Sequence, residues 1–335
     1  LIEGTVTFGN TVLTASANGG DAFIAKLDSD GNPLWAKYAQ ADGIQLFEDV
    51  ATDSSGNIVG VGALQGLANF GSGTIGSAGE DDVLVVKYAK DGTNTWSAAF
   101  GNPLGFESAS AVDIDSTGAI YFTGNATSGI DFGNGVLSYG GDTDAFLVKL
   151  NSQGTVVWSK GFGDAKAQVG VDIAVDVIDN VILSMTFGGT INLGGVNFTA
   201  SGTNIDSALA KFNSAGQHQW SKNLKAVFDK GGVFIDTDGA GNIVATCSFL
   251  GPIDFGTGTL IPMSTDMAFA KLDFMGNAIF THNYGSAGSV VTPYGIAAGR
   301  LGQSWVTGTF SGTVNFGLGA LNAPNSDMFL VGFSP

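Results

Sequence analysis

The sequence predicts an all-β chain in which one small antiparallel sheet is repeated along the length, and three observations carry that expectation. The first is a phrase, Asp144-Ala-Phe-Leu-Val-Lys-Leu-Asn-Ser-Gln-Gly-Thr-Val-Val-Trp-Ser-Lys, whose copies open at Asp21, Asp82, Asp144, Asp206, Asp266 and Asp327. The steps are 61, 62, 62, 60 and 61 residues by subtraction, and so regular a period outweighs the length of 335 residues as a guide to organisation. The second is residue choice: β-branched and aromatic residues fill the runs between turns, and helical periodicity is nowhere sustained. The third is turn chemistry, in Asp28-Ser-Asp-Gly, Asp115-Ser-Thr-Gly, Asn151-Ser-Gln-Gly and Asp238-Gly-Ala-Gly. Asp or Asn opens such a turn by accepting backbone N–H groups, and Gly takes the positive φ at its end.

Taken in order, residues 1–20 match residues 309–326, so the chain begins in mid-repeat. Further copies of this opening stand at Ala68-Asn69-Phe70-Gly71, Ile130-Asp131-Phe132-Gly133, Ile191-Asn192-Leu193-Gly194 and Ile253-Asp254-Phe255-Gly256, each followed by a Gly-rich stretch. Within a unit four short strands are expected. Residues 83–88 form one, Asp91-Gly92 turns the chain, and the next strand carries Trp96. In the preceding unit residues 50–53 lead through the turn 54–57 into a strand over 58–64. Four strands in a unit of about 61 residues suit a β-propeller of four-stranded antiparallel blades, because a lone sheet cannot bury both faces and a stacked array can. The reading is one domain, 1–335, with full repeats 21–81, 82–143, 144–205, 206–265 and 266–326. Six blades follow if one is incomplete or completed by residues outside this chain; five follow if one strand is spare. An unfinished blade presents a strand edge, which invites pairing with another chain.

Composition narrows the function classes. Asp and Glu outnumber Lys and Arg by 30 to 13, for a net charge of −17, which argues against nucleic-acid binding. Eight of the 13 basic residues fill two repeat slots, Lys26, Lys87, Lys149, Lys211 and Lys271 in one and Lys37, Lys160 and Lys222 in the other, and read as structural. No apolar run is long enough for a membrane-spanning helix, so no membrane insertion is expected. The chain starts without Met or a signal peptide, as a mature product or excised portion would. Its one cysteine, Cys247, lies in an alternating apolar run and reads as a buried, inert thiol.

Two stretches carry a family resemblance. Ile173-Ala-Val-Asp…Asn180-Val-Ile-Leu, and Ala111-Val-Asp-Ile-Asp-Ser-Thr-Gly-Ala-Ile-Tyr-Phe-Thr-Gly before Asp144-Ala-Phe-Leu-Val-Lys-Leu…Trp158, resemble the bacterial SBBP-type β-propeller repeat and the related NHL repeat, over essentially the whole chain. The resemblance implies that strands of the Val112–Asp115 type are innermost in each blade and the Trp strands outermost. It also implies a secreted or surface-displayed bacterial protein.

The recurrent Trp35, Trp96, Trp158 and Trp220, with Phe280 in the fifth place, could stack on sugar rings, yet a residue locked to the repeat reads more simply as blade packing. Trp305 breaks the repeat, standing where Val59 and Tyr121 stand elsewhere, and is the aromatic to examine for function. The turn-plus-Trp pattern also resembles the tryptophan-docking repeat of quinoprotein dehydrogenases, but Asp28 sits one residue too close to Trp35 for that motif. Calcium is the one cofactor the sequence suggests. Asp28 and Asp30 alternate as at the start of a calcium loop, although the closing Glu is missing, and Glu80, Asp81, Asp82, Asp142 and Asp144 could gather carboxylates. His218 and His282 are the only histidines and offer no zinc cluster; no nucleophile has a plausible partner, so no catalytic residue is named. Asn125 and Asn197 head glycosylation sequons that matter only in a eukaryotic secretory setting.

The function expected is therefore a non-enzymatic extracellular or cell-surface interaction or structural module, in an adhesin, filament, surface layer or envelope complex. Its partner is another protein or a further copy, met through an incomplete blade. The alternative is a glycan-binding module or a carbohydrate-active enzyme using loops on one face, with carboxylates converging from distant repeats.

Overall fold

The computed structural model describes residues 2, 4–15, 20–201, 205–225 and 232–335; Leu1, Glu3 and residues 16–19 of the opening stretch lie outside them. Among the described residues there is no helix, and repeated four-stranded antiparallel sheets make up the body of the chain. The first sheet is built from Gln45–Thr52, Ile58–Leu64, Asp82–Tyr88 and Asn94–Phe100, hydrogen-bonded in that spatial order. The second uses Glu107–Ile114, Ile120–Ala126, Asp144–Leu150 and Val156–Phe162, and the third Gln168–Val175, Val181–Phe187, Asp206–Phe212 and His218–Leu224. The fourth consists of Phe234–Thr237, Ile243–Phe249, Asp266–Leu272 and Ala278–Tyr284. A fifth has three strands, Val290–Ala298, Ser304–Asn315 and Ala320–Phe333, and a leading hairpin pairs Phe23–Leu27 with Pro33–Tyr38. By contact the chain divides into two compact units, residues 1–161 and 162–335.

Each repeat window thus supplies the third and fourth strands of one sheet and the first and second of the next. In every four-stranded sheet the Trp or Phe strand is one edge, and the strand of the Val112 type is the other.

The turns explain why the strands begin and end where they do. In ten five-residue turns, from 28–32 to 299–303, the N–H of the first residue donates to the carbonyl of the fifth, and the N–H of the fourth donates back to the first. Where Asp opens the turn its carboxylate holds the rest: Asp53 Oδ1 accepts from the N–H groups of Ser55 and Asn57, and Oδ2 from the Asn57 side-chain amide. The fourth position has φ near 80°, as at Gly56 and Gly154, which an L side chain rarely adopts. Asp179 holds that position in the turn 176–180 with φ 64°.

The Gly-rich stretches hold short strands of their own. Around Phe132, Ile130–Asp131 pairs with Val136–Leu137 as a short two-stranded ribbon, and around Phe70, Leu67–Asn69 pairs with Thr74–Gly76 on one side and Gln40–Asp42 on the other. Asp131 Oδ1 accepts from the N–H groups of Gly133 and Gly135, so a carboxylate and two positive-φ glycines close the ribbon.

The middle strands are almost wholly buried, with a run of apolar residues between an opening aspartate and the slot lysine in each third strand of the four-stranded sheets. Ile58–Leu64, Asp82–Tyr88 and Asp144–Leu150 are buried at every residue. Val59, Val61 and Val85 of the first sheet pack into one core with Val112, Phe122 and Phe146 of the second. In the other unit Ile182 and Leu209 join Ile235, Ala245 and Phe249, and Phe269 joins Phe310 and Phe329. Each such side chain contributes roughly 1.5–3 kcal/mol relative to exposure.

Candidate functional site

The residues that the repeat conserves most visibly meet at the junctions between sheets. Lys211 Nζ lies 2.6 Å from Asp176 Oδ2, within its own sheet, and donates at 3.0 Å to the carbonyl of Phe274 in the next. Trp220 Nε1 donates to the same carbonyl, and its ring lies over Gly276, 3.1 Å from where a β-carbon would stand. In the other unit Lys87 and Trp96 both donate to the Ser152 carbonyl, with Gly154 beneath the indole. Lys26 and Trp35 likewise share the Lys90 carbonyl, with Gly92 beneath.

The geometry accounts for three conserved slots together. Lysine neutralises a turn carboxylate in its own sheet, tryptophan fills the gap to the next, and glycine clears room for the indole. Asp53, Asp115, Asp176 and Asp238 pair with Lys87, Lys149, Lys211 and Lys271 at 3.9, 3.3, 2.6 and 3.1 Å. Burial pushes these carboxyl groups up, but hydrogen bonds within the turn and the ammonium beside each outweigh it, and all four lie below the usual carboxylate value.

A second junction contact escapes sequence reading. Asp49 Oδ1 accepts from the N–H of Val50 and Oδ2 from that of Val112, 63 residues on in the next sheet. Asp172 accepts in the same way from Ile173 and Ile235, and Asp236 from Thr237 and Ala298. Burial pushes the Asp49 and Asp236 carboxyl groups up, and their backbone donors only partly offset it.

The calcium candidates stand in different settings, some accepting from backbone donors and others at the surface. Asp28 Oδ1 accepts from the N–H groups of Asp30 and Asn32 and both its oxygens face the Asn32 amide, the pattern of a turn anchor. Asp82 and Asp144 are buried at the starts of their strands and accept from the N–H groups of Ala78 and Gly140. Glu80 and Asp142 are exposed, while Asp81 is half-buried. Among the described residues no three His, Cys, Asp or Glu side chains are arranged to hold a metal ion.

A cavity of about 590 Å³ is lined by Gln65, Leu67, Ser77, Glu80 and Pro103, with glycines between. Glu80 is the one carboxylate lining it, short of the pair that glycoside hydrolysis uses. His218 and His282 lie on the fourth strands of different sheets, His218 edge-on to Phe212 and His282 between Phe280 and Tyr284. Cys247 is fully buried, and burial pushes its thiol far up. Trp305 is 43% exposed and pairs with Gly332 in the fifth sheet.

No family model matches the sequence, and no curated protein matches it. Among solved structures the chain is similar to a protein of unknown function from Bacteroides caccae, with 12% identity and a TM-score of 0.44 over 85% of this chain and 78% of that one.

Proposed function

We propose that this chain is a non-enzymatic bacterial β-propeller of the SBBP and NHL kind, displayed at the cell surface or secreted, that serves as a structural or interaction module. Its five sheets and leading hairpin are the blades, six in all, with the fifth sheet and the hairpin short of four strands. It assembles by strand addition at the outer edge of the fifth sheet.

One observation carries the reading. The third strand is buried at every residue in the first three sheets and at all but one in the fourth, whereas in the fifth Met328 is 86% and Leu330 74% exposed. Beside them Phe316, Leu318, Leu321 and Met328 line a groove of about 390 Å³. Among the described residues no strand pairs with that edge. An unpaired row of N–H and C=O groups flanked by large apolar side chains is what a further β-strand would complete.

Light scattering on the 335-residue chain tests this. The expected result is a mass above 34.0 kDa, reduced by Met328→Glu with Leu330→Glu while far-ultraviolet circular dichroism is unchanged. A wild-type monomer at every concentration overturns the assembly role, as does an assembly indifferent to both substitutions.

A further inference from the structure

The tips of the five-residue turns divide sharply by chemistry. In residues 1–161 the two tip positions are Ser29-Asp30, Ser54-Ser55, Lys90-Asp91, Ser116-Thr117 and Ser152-Gln153, all polar. In residues 162–335 the same positions hold Val177-Ile178, Ser214-Ala215, Gly239-Ala240, Phe274-Met275 and Arg300-Leu301. The fold therefore does not require apolar tips. Yet Val177, Ile178, Phe274, Met275 and Leu301 are 58%, 72%, 55%, 59% and 78% exposed.

These tips form one patch. Turns between first and second strands and between third and fourth strands leave an antiparallel sheet at the same end. A β-carbon on Gly241 would lie 3.6 Å from Val177 and 3.9 Å from Phe274, and one on Gly239 would meet the Arg300 backbone. The patch is held stiffly, because Lys211 and Trp220 grip the Phe274 carbonyl. Exposed apolar side chains gathered on a rigid surface mark an interaction site.

Its flanks carry opposite charges. Along the succession of third, fourth and fifth sheets, fixed by the contacts of Asp172 with Ile235 and of Asp236 with Ala298, Asp179 stands at one end and Arg300 at the other. Arg300 is exposed and is the only arginine in the chain. A two-fold axis through the fourth-sheet turns would set Asp179 of one copy against Arg300 of the other, with the five apolar side chains of each between them.

We infer that this patch docks a second copy of the same chain in a two-fold dimer. A specific interface needs roughly 1,000 Å² in total, and the ten apolar side chains of two copies, each more than half exposed, are the area the patch offers toward it. The self-complementary charges select a copy over a lipid surface, since a bilayer would leave Asp179 facing apolar chains or phosphate. This inference does not rest on the strand-edge assembly.

Sedimentation velocity over a concentration series tests it, run on the wild type and on the Met328→Glu, Leu330→Glu variant so that edge assembly is silenced. The expected result is a monomer–dimer equilibrium in the variant, and in the wild type that dimer together with any larger species the strand edge adds. Leu301→Asp and Ile178→Asp should each weaken it about 30-fold or more. Asp179→Gly, which gives that turn the residue its sister turns use, and Arg300→Gln should each weaken it by a smaller factor and flatten its salt dependence. A variant that remains monomeric before any tip substitution overturns the inference. So does a dimer that survives Leu301→Asp, or wild-type chain that co-sediments with phosphatidylcholine vesicles in place of dimerising.

Discussion

Trp305 lies across Gly332, its partner in register on the neighbouring strand, with the indole 3.3 Å from where a β-carbon on that glycine would stand. Gly332 holds the slot that is lysine in the other units, and Gly299 opens the turn that aspartate opens in the four-stranded sheets. Both halves of the buried ion pair are thus gone from the fifth sheet together. The indole also lies 3.1 Å from the β-carbon point of Gly299, filling the space the pair would take. Trp305 reads as a packing replacement.

That exchange predicts non-additive energetics. Gly332→Lys alone should destabilise the chain through the clash with the indole, and Trp305→Val alone through lost packing. The double substitution should be milder than the sum by about 1–2 kcal/mol, measured by urea denaturation. Simple additivity would mean that the two residues do not share one space.

Replacing Lys211 by Met should cost about 3–5 kcal/mol, because Asp176 is then left buried without its counter-charge. Lys211→Met with Asp176→Asn should recover much of that loss in the same denaturation measurement. The Asp176 carboxyl is lowered in the folded chain, so its contribution is present above the unfolded value near 3.8 and is lost as pH falls below it.

Glu107 behaves in the opposite sense. It is fully buried where the sister strands begin with Gln45 and Gln168, and burial, with Asp82 nearby, pushes it above its usual 4.5 despite donors from Ser128 and Asn102. A raised folded value means that its contribution is full below 4.5 and is lost as pH rises through the folded value. Glu107→Gln should therefore raise the melting temperature at pH 7 and leave it nearly unchanged near pH 4, by calorimetry. Equal effects at both pH values would exclude titration of this group as the cause.

The folded protein should resist thiol reagents. Cys247 is 0% exposed, in register with Ala268 on the neighbouring strand, and its thiol is pushed up by burial, so labelling should follow the unfolding transition in urea. Fast labelling in buffer would require local opening of the fourth sheet.

Much of this was legible in the sequence, and for physical reasons. Asp53, Gly56 and Asn57 write a turn in any setting, and the fixed step from Lys87 to Trp96 marked those residues as structural before their shared carbonyl was known. The ribbon after Asp131 was less visible, because a carboxylate and two glycines read equally as an open loop. The junction aspartates were hidden by spacing: Asp49 and Asp172 precede the turn residue by four positions, but Asp236 by two. An even step keeps a strand residue on the same face while it breaks the repeat that the eye follows. The apolar tips were hidden differently, since sequence alone cannot say that Ile178 and Leu301 stand in corresponding turns at one end of packed sheets.

At three junctions the lysine and tryptophan reach forward together, from an earlier hairpin or sheet to one carbonyl in the next. On a ribosome the gripping side chains would emerge before the backbone they hold. Each finished sheet would then wait as a prepared surface, and the array would grow in one direction with its newest face always the least protected.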